Sequence, residues 1–282
     1  MKIIPVVFFS VLLLLHTVCS QNLNESSRIY GVTIDGIDHL DQIVEALGSH
    51  SKKMTVRIVF NERVLAKSYY DACGEIHNVS FIMGEILDSY GFAGYSLDDY
   101  KKRVNEYINT LDNNVDIWEI GNESNGEWLG NIDSSVEKLN AAFEIAKSNN
   151  KKTALTLYYN PGCYNKPENE MFRWINERLG DEMRNNIDYV LVSYYEDDCN
   201  NFEPDWQTVF DSLHALFPNS SLGIGECGTK IKTRKAEFIK RYYNTFVSTP
   251  GYIGGYFWWY YKEDCVPDSK KLWRVLENAI NP

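Results

Sequence analysis

Eight short runs of β-branched and aromatic residues, each followed by a longer amphipathic stretch, predict an α/β chain closed into a single (β/α)8 TIM barrel. Two further observations agree. The chain has 282 residues, a size usual for one such barrel. No Gly/Ser linker, low-complexity tract or composition shift divides it. The competing architecture is an open doubly wound sheet, which usually carries a Gly-rich turn after its first strand. Gly31 and Gly36 do not form G-x-G-x-x-G.

The elements follow in order. Ile29–Ile34 is the first strand, with a helical pattern from Asp38 to Leu47 behind it. Met54–Phe60 is the second, followed by helical residues through Ala72. Val79–Met83 is the third and leads through Gly91 and Gly94 to a helix capped by Ser96. Val115–Ile120 is the fourth, and Ser134 with Glu137 reads as a capping box for the helix after it. Thr153–Tyr159 is the fifth, with Pro167 suited to a first helical turn. Ile187–Tyr194, Ser221–Gly225 and Tyr252–Tyr260 are the sixth, seventh and eighth, and Ser269–Ile280 is a last amphipathic stretch.

The chain opens with Lys2, an apolar run from Ile3 to Leu15, and Thr17-Val18-Cys19-Ser20. A short basic region, an apolar core and small residues before Gln21 describe a secretory leader over residues 1–20. The barrel domain is then 21–282. A membrane anchor is the competing reading, but the run is short for about 30 Å of hydrocarbon. The expected location is outside the cell or in the lumen of the secretory or lysosomal pathway. The formal net charge is −11, and loss of Lys2 makes the mature chain one unit more negative. That balance disfavours nucleic acid and anionic membrane surfaces as partners.

Cys73, Cys163, Cys199, Cys227 and Cys265 remain after the leader, so two disulfides and one free thiol are expected. Four of these follow strands five to eight, which suggests Cys163–Cys199 and Cys227–Cys265 staples between neighbouring loops, with Cys73 free. No CxxC occurs, and His39, His50, His77 and His214 lack ligand spacing, so neither a metal nor a cofactor is expected. Sequons stand at Asn24, Asn78, Asn122 and Asn219.

In a parallel barrel the functional groups sit where strands end. The fourth strand delivers Asn122 and Glu123, and the seventh delivers Glu226, each acid flanked by an apolar strand and a glycine. A pair of carboxyls, one protonated and one ionised, is what glycosidic bond cleavage requires. A solvent-exposed strand-end Glu is the bland alternative for either acid alone. Arg57 stands within the apolar run Thr55-Val56-Arg57-Ile58-Val59 and needs a carboxylate partner if it faces inward. Tyr194 and Tyr195 end strand six. Trp258 and Trp259 end the aromatic strand eight, where alternation sends one of the two outward. Trp259 is the preferred site residue, with Trp258 kept beside it. Trp128, Tyr158 and Tyr159 are candidates to extend a cleft. The acidic runs Glu196-Asp197-Asp198 and Glu263-Asp264 read as solvated loops.

Trp118-Glu119-Ile120-Gly121-Asn122-Glu123 resembles the strand-four Asn-Glu motif of clan A glycoside hydrolases, and Gly225-Glu226 resembles their strand-seven motif. Family 5 is the nearest comparison within the clan. The resemblance implies that Glu123 is the general acid/base, that Glu226 is the nucleophile, and that Arg57 keeps Glu226 ionised. It also implies that Asn122 bonds the sugar 2-hydroxyl and that Tyr194 or Tyr195 approaches the nucleophile. The expected protein is thus a secreted, monomeric, retaining O-glycosyl hydrolase acting on a β-linked oligo- or polysaccharide, with carboxyls about 5–5.5 Å apart. A carbohydrate-binding barrel without catalysis is the alternative. A glycan on Asn122 would block the cleft, so that sequon is expected to be unoccupied.

Overall fold

A computed structural model describes residues 28–281; the expected leader, residues 1–20, and the sequon at Asn24 lie outside them. The strands are β1 (Ile29–Ile34), β2 (Thr55–Val59), β3 (Phe81–Glu85), β4 (Ile117–Gly121), β5 (Thr153–Tyr158), β6 (Tyr189–Tyr194), β7 (Ser221–Cys227) and β8 (Tyr252–Trp258). They pair in sequence order, all parallel, and β8 pairs with β1 to close the barrel. The principal outer helices are α1 (Leu40–Gly48), α2 (Tyr70–His77), α3 (Leu97–Leu111), α4 (Ile132–Ser148), α5 (Met171–Arg178), α6 (Trp206–Leu216), α7 (Lys235–Tyr243) and α8 (Lys271–Ile280).

Two apolar layers result. The larger lies between barrel and helices. α3 shows how the sequence builds it: Tyr100, Val104, Tyr107, Ile108 and Leu111 recur at helical spacing and are buried. The Ser96 hydroxyl accepts from Asp99 N at 3.1 Å and so caps the helix as expected. The smaller layer plugs the barrel bore with Met83, Ile117, Ala154, Leu191 and Phe257. Burying a side chain the size of Phe257 contributes about 1.5–3 kcal/mol. Gly31 makes room for it, since a Cβ there would lie 2.5 Å from the Phe257 ring.

Several expectations need correction. α4 begins at Ile132, and Asn131 is its cap, its Oδ1 accepting from Ser134 N at 2.9 Å. Ser134 and Glu137 therefore lie inside the helix, because an Asn cap three residues earlier captures the free N–H groups first. Pro167 opens a separate 3-10 turn, Pro167–Asn169, ahead of α5. β3 ends at Glu85 and β7 at Cys227, each two residues later than the apolar runs suggest.

The Cys163–Cys199 disulfide joins the loops after β5 and β6 with Cα atoms 5.4 Å apart. The Cys227–Cys265 bridge does not form, and Cys73, Cys227 and Cys265 are all free and buried. Because β7 continues through Cys227, that thiol points out of the barrel and donates to Tyr256 O at 2.6 Å.

Candidate active site

At the C-terminal end of the barrel lies an open cleft of about 440 Å³. Glu123 and Glu226 both line it, with Asn122, Tyr195 and Trp259. The two acids reach it by different routes. Glu226 is an inward position near the end of β7. Glu123 follows β4 and adopts a left-handed backbone, φ 47, a conformation that is uncommon without glycine and concentrates at functional sites. Its carbonyl accepts from Gly126 N at 2.7 Å, closing a tight turn.

The two carboxyls have contrasting partners. Glu226 Oε2 lies 2.5 Å from Arg57 Nη1, and Glu226 Oε1 accepts from the Tyr195 hydroxyl at 2.7 Å. Glu226 thus has a cation on one oxygen and a hydroxyl donor on the other. Glu123 has no cation against it. Its Oε1 accepts from Ser193 Oγ at 2.6 Å and its Oε2 from Ser89 Oγ at 3.2 Å. Burial, and after it the charge of Glu226, pushes Glu123 up to about 8. The two carboxyls thus stand in contrasting surroundings within one cleft.

Arg57 is completely buried and serves three carboxylates. Besides Glu226, its Nη2 lies 2.8 Å from Glu85 and its Nε 2.8 Å from Glu119. These last two are close ion pairs that fall short of hydrogen-bond alignment. Glu85 ends β3 directly in register with Glu119 of β4. One guanidinium cannot balance three buried carboxylates, so protons gather here. Burial pushes Glu85 well above the usual carboxylate range and Glu119 up to about 7, with Arg57 opposing both shifts. Glu119 also accepts from the Thr156 hydroxyl.

Strand alternation decides the paired candidates. Tyr195 faces the cleft. Tyr194 is outward, packed on Tyr159 and Trp206, with its hydroxyl donating to Phe202 O at 2.5 Å. Tyr194 as a substrate contact is therefore corrected. On β8, Phe257 fills the bore, so Trp258 must point outward; it is buried, and its Nε1 donates to Asp264 Oδ2 at 3.0 Å. Trp258 is likewise excluded from the cleft. Trp259 follows inward, its ring 5.6 Å from the Arg57 guanidinium. Trp128 and Tyr158 line the cleft, and Tyr159 does not.

The acidic runs are solvated only in part: Asp198 and Glu263 are exposed, while their neighbours are tied down. Glu196 is buried, and both its oxygens accept from Arg241 Nη2 of α7, at 2.6 and 2.7 Å. Asp264 pairs with Lys235 at 2.7 Å. Asp197 and Asp198 do line the cleft, with Asp88 opposite in charge to Lys230. The sequence reading missed Glu85, Glu119, Ser89, Ser193, Asp88, Tyr90, Lys230 and Tyr260. Among the described residues, no group of three or more His, Cys, Asp or Glu is arranged to hold a metal ion. No described helix is long and apolar enough to cross a membrane.

No protein-family model matches the sequence, and no curated protein matches it. Solved structures do. One is PbGH5A, a glycoside hydrolase family 5 enzyme from Prevotella bryantii B14, with TM-score 0.56, 13% identity, and coverage of 93% of this chain and 98% of that one. A second is ZgEngAGH5_4 in complex with a cellotriose, with TM-score 0.56, 12% identity and coverage of 91% and 96%. A third is Saccharomyces cerevisiae Gas2p in complex with laminaripentaose, with TM-score 0.57, 14% identity and coverage of 91% and 66%. The chain shares its fold with glycoside hydrolases. It spans about two thirds of the length of the yeast chain.

Proposed function

We propose that this chain is a secreted retaining glycoside hydrolase that cleaves β-glycosidic bonds in an oligo- or polysaccharide. The observation that carries the reading is the opposite treatment of two glutamates in one cleft: Arg57 and Tyr195 on Glu226, burial and two serine hydroxyls on Glu123. Glu226 attacks the anomeric carbon while the proton on Glu123 passes to the departing glycosidic oxygen, leaving a glycosyl ester on Glu226. With the charge of Glu226 consumed, Glu123 loses the repulsion that held its proton and becomes the base. Water then adds to the anomeric carbon, gives its proton to Glu123, and frees Glu226.

Asn122 supports the same reading. The residue lines the cleft beside Glu123, and its buried Oδ1 has no hydrogen-bond partner within the protein; a turn of the side-chain amide toward the cleft would pair it with a sugar hydroxyl. Trp259 and Tyr260 offer flat apolar faces to a ring in front of Glu226. The structural neighbours include chains holding cellotriose and laminaripentaose, which favours a carbohydrate partner here too. The apolar leader and the Cys163–Cys199 bridge favour the secretory route.

The test is a hydrolysis screen on β-glucan and β-mannan oligosaccharides, with NMR reading the anomer first released. The β-anomer with wild type, and turnover nearly abolished in Glu226→Gln and Glu123→Gln, is the expected result. The α-anomer as first product rejects retention. Full activity in Glu226→Gln rejects the assignment of the nucleophile.

A further inference from the structure

Tyr90 is the most exposed large aromatic among the described residues, at 79%. Its ring stacks on Trp128 with centroids 5.9 Å apart and planes 19° apart. Trp128 in turn meets Tyr158 edge-on at 5.3 Å. The three rings come from the loops after β3 and β4 and the end of β5, and all line the cleft. A core explanation fails for a ring so open to water, and an aromatic shelf in a cleft fits the apolar face of a sugar. The shelf is built deliberately: a Cβ on Gly126 would lie 2.6 Å from the Trp128 indole, so glycine lets the ring fold over its own turn.

The shelf is wired to the acid. Trp128 Nε1 donates to Ser89 Oγ at 2.9 Å, and that hydroxyl donates onward to Glu123 Oε2 at 3.2 Å. Ser89 is buried, so the chain runs without solvent. Trp259 and Tyr195 stand instead with Arg57 and Glu226. The two aromatic walls thus bracket the carboxyl pair, and the Tyr90–Trp128 wall lies on the side of the acid.

We propose that Tyr90, Trp128 and Tyr158 form a binding platform for the sugar on the leaving-group side, and that Ser89 is a positioning residue through which Trp128 sets the orientation of Glu123. This rests on the hydrolase reading above. The substrate class it implies is a β-linked glycan in which the departing group is itself a sugar ring, rather than a small aglycone. Binding energy from that ring is then used at the reacting bond, because the indole that carries it also fixes the hydroxyl on the acid.

Four probes test it: cellotetraose and laminaritetraose, and 2,4-dinitrophenyl β-cellobioside and β-laminaribioside, whose phenolate leaves without needing a proton. In Trp128→Ala, kcat/KM on the tetrasaccharide that wild type cleaves falls at least about thirtyfold, while the matching dinitrophenyl glycoside stays within about threefold. In Ser89→Ala the tetrasaccharide loses about tenfold through kcat with KM nearly constant, again sparing the dinitrophenyl glycoside. Equal loss on both substrate types, or no loss on the tetrasaccharide, overturns the proposal and leaves the hydrolase reading intact. A wild type active only on β-mannan is read with mannotetraose and its dinitrophenyl mannobioside counterpart in place of these probes, and one inert on all of them rejects the hydrolase reading instead. The platform is then judged by calorimetric titration of the two tetrasaccharides into wild type and Trp128→Ala, and undiminished affinity in the variant overturns it.

Discussion

Arg57 Nη1 and Glu226 Oε2 lie 2.5 Å apart at the floor of the cleft, and the same guanidinium holds Glu85 and Glu119 within 2.8 Å. Arg57 is therefore both the counter-ion of Glu226 and, among the described residues, the one cation paired with two further buried acids. Replacing it separates those duties. Arg57→Lys keeps a charge but loses the planar fork, so kcat/KM is expected to fall about a hundredfold with the fold retained. Arg57→Met strands three carboxylates and is expected to destabilise the protein by about 3–5 kcal/mol, as broken buried pairs do. Steady-state kinetics and urea unfolding read the two effects separately.

Acid at position 123 shapes the response to pH. In the proposed mechanism Glu123 must carry a proton, so kcat/KM is expected to decline as pH rises through about 8. Stability shifts in the same direction. Glu123 and Glu119, raised to about 8 and about 7, bind protons more tightly folded than unfolded, so their contribution is fullest below about 4.5 and is lost as pH climbs through the folded values. Thermal melts of wild type should therefore weaken between pH 5 and pH 8 relative to Glu119→Gln. A constant difference across that window would refute the linkage.

The adjacent tyrosines of β6 give a controlled pair. Tyr195→Phe removes the second donor to Glu226 and is expected to lower kcat/KM about 10–100-fold with an unchanged melting temperature. Tyr194→Phe removes a bond to Phe202 O on the outer side, costing about 1 kcal/mol of stability while activity stays within about threefold. Reversal of the two outcomes would mean that the cleft is lined from the other face of the strand.

Charge at the cleft mouth predicts selectivity. Asp88, Asp197 and Asp198 line it beside the two glutamates, against Lys230 alone among the lining residues. A carboxymethylated oligosaccharide is expected to be cleaved more slowly than its neutral parent. The deficit should shrink as salt is raised from about 10 mM to about 1 M, where the screening length falls from about 30 Å to about 3 Å. A deficit that ignores salt would point to steric exclusion instead.

The barrel and both strand-end glutamates were legible because each rests on local pattern: eight alternating segments, and two acids closing apolar runs. Glu85 and Glu119 were hidden for physical reasons. The run Val79–Met83 loses its apolar character before β3 ends, so Glu85 reads as loop. Glu119 sits between Trp118 and Ile120, where only the inward parity of β4 separates a buried acid from a solvated one. Parity also governs Tyr194 against Tyr195 and Trp258 against Trp259, and one strand cannot set it by itself. On β8 it is fixed by Phe257 in the bore and by a bulge in which β8 carries one residue more than β1 between Gly255 and Trp258, with positive φ from Gly254 through Phe257. Ser89 and Ser193 carry no signal by type; only the closed barrel brings them to Glu123.

Glu196 follows Tyr195 and is gripped by Arg241 and Tyr242 on the outside of the barrel, while Cys199, three residues further on, is tied to the neighbouring loop. The phenol that bonds Glu226 is thus followed by a residue held from behind by an outer helix. Variation at Arg241, remote from the cleft, would strand the buried Glu196 and so reach the Tyr195 phenol through the stability of the loop behind it.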